Sequence, residues 1–258
     1  MGIINVTPDS FYDGGNLVTQ KDILIIAEKH LIDGADFIDV GGYSSRPGAA
    51  DIPLNEELKR TIQAVKAIHK NFPESNISID TFRSEVAEQA VQNGACMIND
   101  ISGGHLDNKM YDAVKKAQVP YIVTHMPGTP QDMQEKTGYK DVVKEVAMYF
   151  SLILEKLKIL GINDIILDPG FGFGKTLEQN YQLLKNISHF KMFGLPVLAG
   201  ISRKSMICKV LKVNPENALT GTIAANTLAV NNGADLLRVH DVKEAVQTIN
   251  IFKNYSDA

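Results

Sequence analysis

Eight short apolar runs punctuate the chain, and each ends on a polar side chain or beside one. They cover residues 2–6, 37–40, 77–80, 97–100, 121–125, 165–168, 197–202 and 236–240. Runs this short, with little polar alternation, fit strands buried on both faces. Between them, residues 23–32, 56–72, 84–92, 139–160 and 218–231 carry apolar side chains at three- and four-residue spacing, the helical period. Strands alternating with helices predict the α/β class, here a (β/α)8 TIM barrel built as a single domain over residues 1–258. Catalytic groups in that fold occupy the C-terminal ends of the strands. The polar residues at or just past the run ends are therefore the candidate site residues: Asn5, Asp39, Asp80, Asn99, His125, Asp168, Ser202, Lys204, Arg238 and His240.

A recurring phrase supports the repeated unit. Asp33-Gly34-Ala35-Asp36, Asn93-Gly94-Ala95-Cys96 and Asn232-Gly233-Ala234-Asp235 each follow a helical pattern and precede an apolar run, and Leu160-Gly161-Ile162-Asn163 is a looser version. Glycine there suits a left-handed helix C-cap. Two connections, about residues 7–18 and 41–53, exceed the usual strand-to-helix length and are rich in Gly, Pro, Ser and Asp. Both fall on the catalytic face, as candidate lids.

Composition narrows the function classes. A net charge of −4 and a pI near 5.9 argue against a nucleic-acid footprint, though local Arg and Lys can still hold a small anion. Two cysteines, Cys96 and Cys208, without a Cys-x-x-Cys pair, argue against a disulfide scaffold or a zinc site. No apolar run has the length of a membrane span. No signal peptide is read before the first run, and Val6 breaks the myristoylation pattern that Gly2 would open. The expectation is a cytoplasmic protein acting on small molecules.

Several motifs invite a named chemistry and fail it. Asp168-Pro169-Gly170-Phe171-Gly172-Phe173-Gly174-Lys175-Thr176 is not a P-loop, because Pro169 stands where the first Walker glycine belongs. Its glycines would let backbone pass close to a flat ligand, which Phe173 could line, or Phe173 could simply pack. Gly200-Ile201-Ser202-Arg203-Lys204-Ser205 is not a nucleophile elbow, because Lys204 replaces the final glycine. It opens a helix near Ser205, where free N–H groups and Lys204 suit an anion; a solvated turn is the alternative. Arg238 and His240 alternate to one side at the end of the last run. A buried arginine needs an anion or a structural salt bridge. Asp80, Asn99 and Asp168 would converge on the barrel mouth, offering acceptors that suit the amino and ring N–H edge of a heterocycle. A glycosidase carboxylate pair is the rival reading, with no use for the basic groups.

Taken in order, the segments 5–15, 39–48, 78–81, 99–104, 124–126, 168–175, 200–205 and 238–241 closely resemble the dihydropteroate synthase family over the full chain. The resemblance implies a magnesium-assisted transferase of folate biosynthesis, a homodimer, whose aminobenzoate substrate sulfonamides mimic. It joins 6-hydroxymethyl-7,8-dihydropterin diphosphate to 4-aminobenzoate and releases diphosphate by a dissociative, cation-like displacement. It assigns the pterin to Asp80, Asn99, Met126, Asp168, Phe173, Lys204 and Arg238. Asn5, Arg238 and His240 would hold the diphosphate, with Asn5 serving the magnesium. Phe11, Ser45, Arg46, Pro47 and Ser205 would form the aminobenzoate pocket, and Thr7 and Asp9 belong to the first loop. Lys204, Arg238, His240 and Asp80 are the implied catalytic set. By this resemblance Asp39 and Ser202 drop from the first rank, and His125 yields to Met126.

Tyr43 stands where the family commonly has glutamate or a small residue, and Ser45 where it has threonine. The family's residues ahead of the first strand are also lacking, which predicts weaker pairing of that strand. A corrinoid-linked pterin methyltransferase domain is one rival; it has no reason to keep Lys204, Ser205 or the Arg238/His240 pair. A pterin-binding paralogue without turnover is a second, and a sugar-phosphate barrel enzyme a third.

Overall fold

The apolar runs become strands. The computed structural model describes residues 1–7, 19–44 and 51–258. Among them are β1 (Gly2–Asn5), β2 (Phe37–Gly41), β3 (Asn76–Asp80), β4 (Ala95–Asp100), β5 (Tyr121–Thr124), β6 (Ile165–Asp168), β7 (Leu198–Ala199) and β8 (Leu236–Leu237). Neighbours β1 through β6 pair in parallel in sequence order, and β7 pairs with β8. Single bridges complete the circle: Leu167 to Val197 joins β6 to β7, and Gly2 to Val239 joins the end of β8 to β1. The expected weakness of β1 does not hold. It pairs with β2 at four positions, and on its other side Ile3 N donates to Val239 O at 3.0 Å.

The helices α1 (Gln20–Ile32), α2 (Leu54–Asn71), α3 (Ser84–Gln92), α4 (Met110–Ala117), α5 (Val142–Ile159), α6 (Leu177–Lys185), α7 (Ser205–Leu211), α8 (Leu219–Asn231) and α9 (Val242–Ser256) lie outside the ring. Thr19 starts α1 and Thr176 starts α6, each with a reciprocal capping box that satisfies otherwise orphaned N–H groups. The recurring phrase is the helix-to-strand junction: Gly34, Gly94, Gly161 and Gly233 all have left-handed φ, from 79 to 114°. Helices α4, α6, α7 and α9 had no counterpart among the periodic segments, although the start of α7 near Ser205 was expected from its motif.

Two apolar layers divide the interior. The larger lies between barrel and helices, with Ile38, Ile77, Ile98 and Val123 facing outward onto helix residues such as Ala64, Ile68, Val86 and Phe150. The smaller fills the bottom of the barrel: Met1, Met97, Ile122, Ile166 and Leu198, with Phe37 and Leu236 packed against them. Side chains two apart on a strand face the same way. Two residues beyond Phe37, Met97, Ile166 and Leu236 stand Asp39, Asn99, Asp168 and Arg238. The barrel therefore has an apolar floor and, one layer higher, a polar ring. No helix among the described residues is long and apolar enough to cross a membrane. Both cysteines are free and half-buried.

Candidate active site at the barrel mouth

Arg238 is the centre of the polar ring. Its Nε donates to Asp39 Oδ2 at 2.6 Å and its Nη2 to Asp80 Oδ2 at 2.6 Å. Asn99 Nδ2 donates to the same Asp39 oxygen at 3.1 Å. Side chains from β2, β3 and β4 and the segment after β8 thus meet at one point. Asp39 is fully buried, and its Oδ1 has no hydrogen-bond partner among the described residues. The arginine's buried cation is paired twice by carboxylates, so the salt-bridge alternative is realised, and its remaining donors stay open to a ligand.

Across the mouth, Asp168 ends β6, buried, and its Oδ1 accepts from Gly170 N at 2.8 Å. Lys204, the residue before α7, donates to Phe171 O at 2.5 Å. Its Nζ lies 4.4 Å from the centre of the Phe173 ring, a cation–π contact. Met126 is buried beside Ile101 and Met133, with Phe82 and Phe173 packed on that cluster. An apolar wall therefore stands beside the Asp168–Lys204 pair.

Burial dominates the electrostatics here. Burial pushes Asp80 up to about 7, against the pull of Arg238, with Asp39, Glu57 and Asp100 adding negative charge. Burial likewise raises Asp168, opposed by Lys204. It lowers Lys204 to about 8, while Asp168 works to keep the ammonium charged. Burial also opposes the Arg238 charge, but Asp39 and Asp80 hold it above the ordinary range.

His240 stands at the rim. Ser202 Oγ accepts from the His240 backbone N–H at 3.2 Å and lies 3.0 Å from Nδ1. Where the hydroxyl proton serves Nδ1, Nε2 carries the ring N–H. Arg203 faces away: it has φ 56° and clamps Asp241 through bonds of 2.8 and 2.7 Å. Asn5 is half-buried at the end of β1, Thr7 is buried just beyond it, and Ser205 is exposed at the start of α7. Asp9, Phe11, Ser45, Arg46 and Pro47 lie outside the described residues.

This geometry has known relatives. Residues 1–240 match the family described as pterin binding enzyme. The dihydropteroate synthase of Escherichia coli K12 is 44% identical over 97% of this chain and 89% of its own length. The chain belongs to the dihydropteroate synthase family. A crystal structure of the family's Yersinia pestis member with a sulfonamide drug complex superposes with a TM-score of 0.95 at 40% identity, covering 100% of this chain and 94% of that one. The folic acid synthesis protein fol1 of Pneumocystis carinii is 45% identical over 95% of this chain, which spans 34% of that longer protein.

Against this family frame, two residues set aside in the sequence belong to the site. Asp39 is the joint acceptor for Arg238 and Asn99, and Ser202 orients His240. Asp39 carried the available signal: it stands two residues beyond Phe37, in the same relation as Asn99 to Met97. Tyr43, the departure in the second long loop, is buried edge-on to Phe82 at 4.9 Å, and its hydroxyl accepts from Gln131 at 3.0 Å. The neighbouring Arg83 lies 5.4 Å from its ring and reaches the buried Glu57 at 2.9 Å and Asp51 at 3.0 Å. Both described flanks of that loop are thereby tied to the residues just after β3.

Proposed function

We propose that the protein condenses 6-hydroxymethyl-7,8-dihydropterin diphosphate with 4-aminobenzoate to give 7,8-dihydropteroate and diphosphate. One observation carries this reading. Asp168, Lys204, Met126 and Phe173 gather at the mouth of the same barrel as the ring of Asp39, Asp80, Asn99 and Arg238, with His240 at the rim. Carboxylates and an amide suit the amino and N3–H edge of a pterin, and Lys204 suits its carbonyl. Asp80, Asn99, Met126, Asp168, Phe173, Lys204 and Arg238 form the pterin set.

Bond breaking at the methylene carbon sends the electron pair to the departing diphosphate oxygen. Arg238 and the Nε2–H of His240 stabilise the charge that develops there, together with Asn5. The electron-rich dihydropterin delocalises the cation left on the methylene, and the Asp80 carboxylate favours that positive charge. The aminobenzoate nitrogen then bonds to that carbon and releases one proton. No protein nucleophile enters the path. Phe11, Ser45, Arg46, Pro47 and Ser205 would hold the aminobenzoate, with Thr7 and Asp9 in the loop that screens the cation from water.

Magnesium fits this donor set only as an ion shared with the substrate. No group of three or more His, Cys, Asp or Glu side chains among the described residues could hold a metal alone. Magnesium commonly takes one or two protein ligands plus substrate phosphates. Asn5 would be the protein ligand, and the bound ion would neutralise diphosphate charge.

A single catalytic domain, a cytoplasmic setting, sensitivity to sulfonamides and a homodimer complete the proposal. Exposed Val210, Leu211, Ile223 and Leu228 on α7 and α8 support the dimer. Incubating the protein with both substrates and magnesium, and following dihydropteroate and diphosphate in equal amounts, tests the central claim. Tight pterin binding without product points instead to the paralogue.

A further inference from the structure

Lys175 closes the glycine-rich motif that fails as a P-loop, and the proposed reaction makes no use of it. It is buried, with 5% exposure, yet its Nζ meets four acceptors. These are Gly170 O at 2.8 Å, Phe173 O at 2.9 Å, His125 Nδ1 at 3.1 Å and His125 O at 3.2 Å. An ammonium has three donors and no acceptor, so this cradle suits the charged form and works against the burial that lowers Lys175 to about 7, as does the charge of Asp168. Burial holds His125 down at about 2, so its ring is neutral and Nδ1 can accept.

The backbone curls around the ammonium rather than around a phosphate. Gly170 has φ 74°, and a Cβ there would collide with the His125 carbonyl oxygen, so only glycine brings that carbonyl inward. The same short loop supplies three of the contacts that define the ring slot. Gly170 N binds Asp168, Phe171 O receives Lys204, and the Phe173 ring lies against the Lys204 ammonium. His125 adjoins Met126, which packs in the same apolar cluster as Phe173. One buried lysine therefore ties that apolar wall to the orientation of Asp168 and Lys204.

We infer that Lys175 is a positioning residue for pterin recognition, acting through the Gly170–Phe173 loop and His125 without touching the substrate. The inference rests on the pterin reading of the site. Removing the ammonium leaves three buried carbonyl or ring acceptors without a donor, and the loop must open to rehydrate them. The cost falls on the pterin slot, because the described contacts of Lys175 do not include Ser205 or His240.

The test compares wild type with Lys175→Met, which keeps the length and apolar stem of the side chain. Binding of the pterin diphosphate alone is measured by calorimetry, and the aminobenzoate KM at saturating pterin. Failure of wild type to bind the pterin defeats the functional reading itself. With wild type binding, Lys175→Met raises the pterin Kd at least about tenfold, while the aminobenzoate KM changes less than about threefold. A smaller rise in Kd overturns the inference, and so does an equal rise in both constants, which marks a merely structural residue. Should Lys175→Met not fold, Lys175→Leu, which likewise carries no donor, is judged by the same two constants and thresholds.

Discussion

Replacing Asp39 by asparagine tests the polar ring at its least accessible point. The substitution keeps the size of the side chain and removes its charge. Arg238 Nε then loses an ionic acceptor at 2.6 Å but keeps Asp80, also at 2.6 Å. The larger penalty of a wholly unpaired buried charge, roughly 3–5 kcal/mol, therefore does not apply. Losing one charge-assisted hydrogen bond costs about 2 kcal/mol, which corresponds to roughly a 30-fold fall in kcat/KM. The pH profile gives an independent sign. Asp80 sits at about 7, raised first by burial and further by the Asp39 charge. Ionised Asp80 holds Arg238 and faces the developing cation, so wild-type activity falls as pH drops through about 7. Asp39→Asn removes one of the charges that raise Asp80, so the acid limb moves to lower pH even as the maximum falls. Initial rates of diphosphate release across the acid and neutral range measure both effects. A limb that moves to higher pH, or a kcat/KM within about threefold of wild type, refutes the reasoning.

Three further perturbations follow from the same contacts. Ser202→Ala removes the hydroxyl that orients His240; a loss of about 1 kcal/mol corresponds to roughly a fivefold fall in kcat/KM for the pterin diphosphate, with binding of the pterin lacking diphosphate unchanged. Tyr121→Phe removes the 2.7 Å donor to buried Asp100, which keeps Ser102 and Gly104 as donors; calorimetry is expected to show a loss of about 2 kcal/mol, a Tm lower by roughly 4–8 °C. Chelation of magnesium weakens binding of the pterin diphosphate and leaves the pterin without diphosphate unaffected; equal weakening of both counts against a metal shared with the leaving group.

Much of the barrel is legible from periodicity because strands buried on both faces and helices buried on one impose different spacing. The limits have physical causes. Strands β7 and β8 are only two residues each, since the chain there pairs briefly and then turns to deliver Ser202 and Lys204, or Arg238 and His240, into the mouth. Helix α8 is read correctly from its spacing, but spacing alone does not say which face is inward: it buries Ala225, Asn226 and Ala229 yet exposes Ile223 and Leu228.

The site was legible wherever a polar residue closes an apolar run, as at Asp80, Asn99, Asp168 and Arg238. Asp39 also stands near the end of its run and is a candidate, but the family resemblance gives it no substrate to hold, and it drops from the first rank. Only the side-chain parity of the barrel shows that Asp39 belongs to the same inward layer as Asn99 and Arg238. Lys175 is hidden for the opposite reason. A lysine after a glycine-rich turn ordinarily serves a phosphate, and nothing in its spacing says that the turn's own carbonyls converge on it. In both cases the informative quantity is direction rather than composition. An inward carboxylate below the mouth steadies an arginine above it, and an inward lysine steadies the loop on the far side. The groups proposed to touch substrate are thus held by two buried charges that do not.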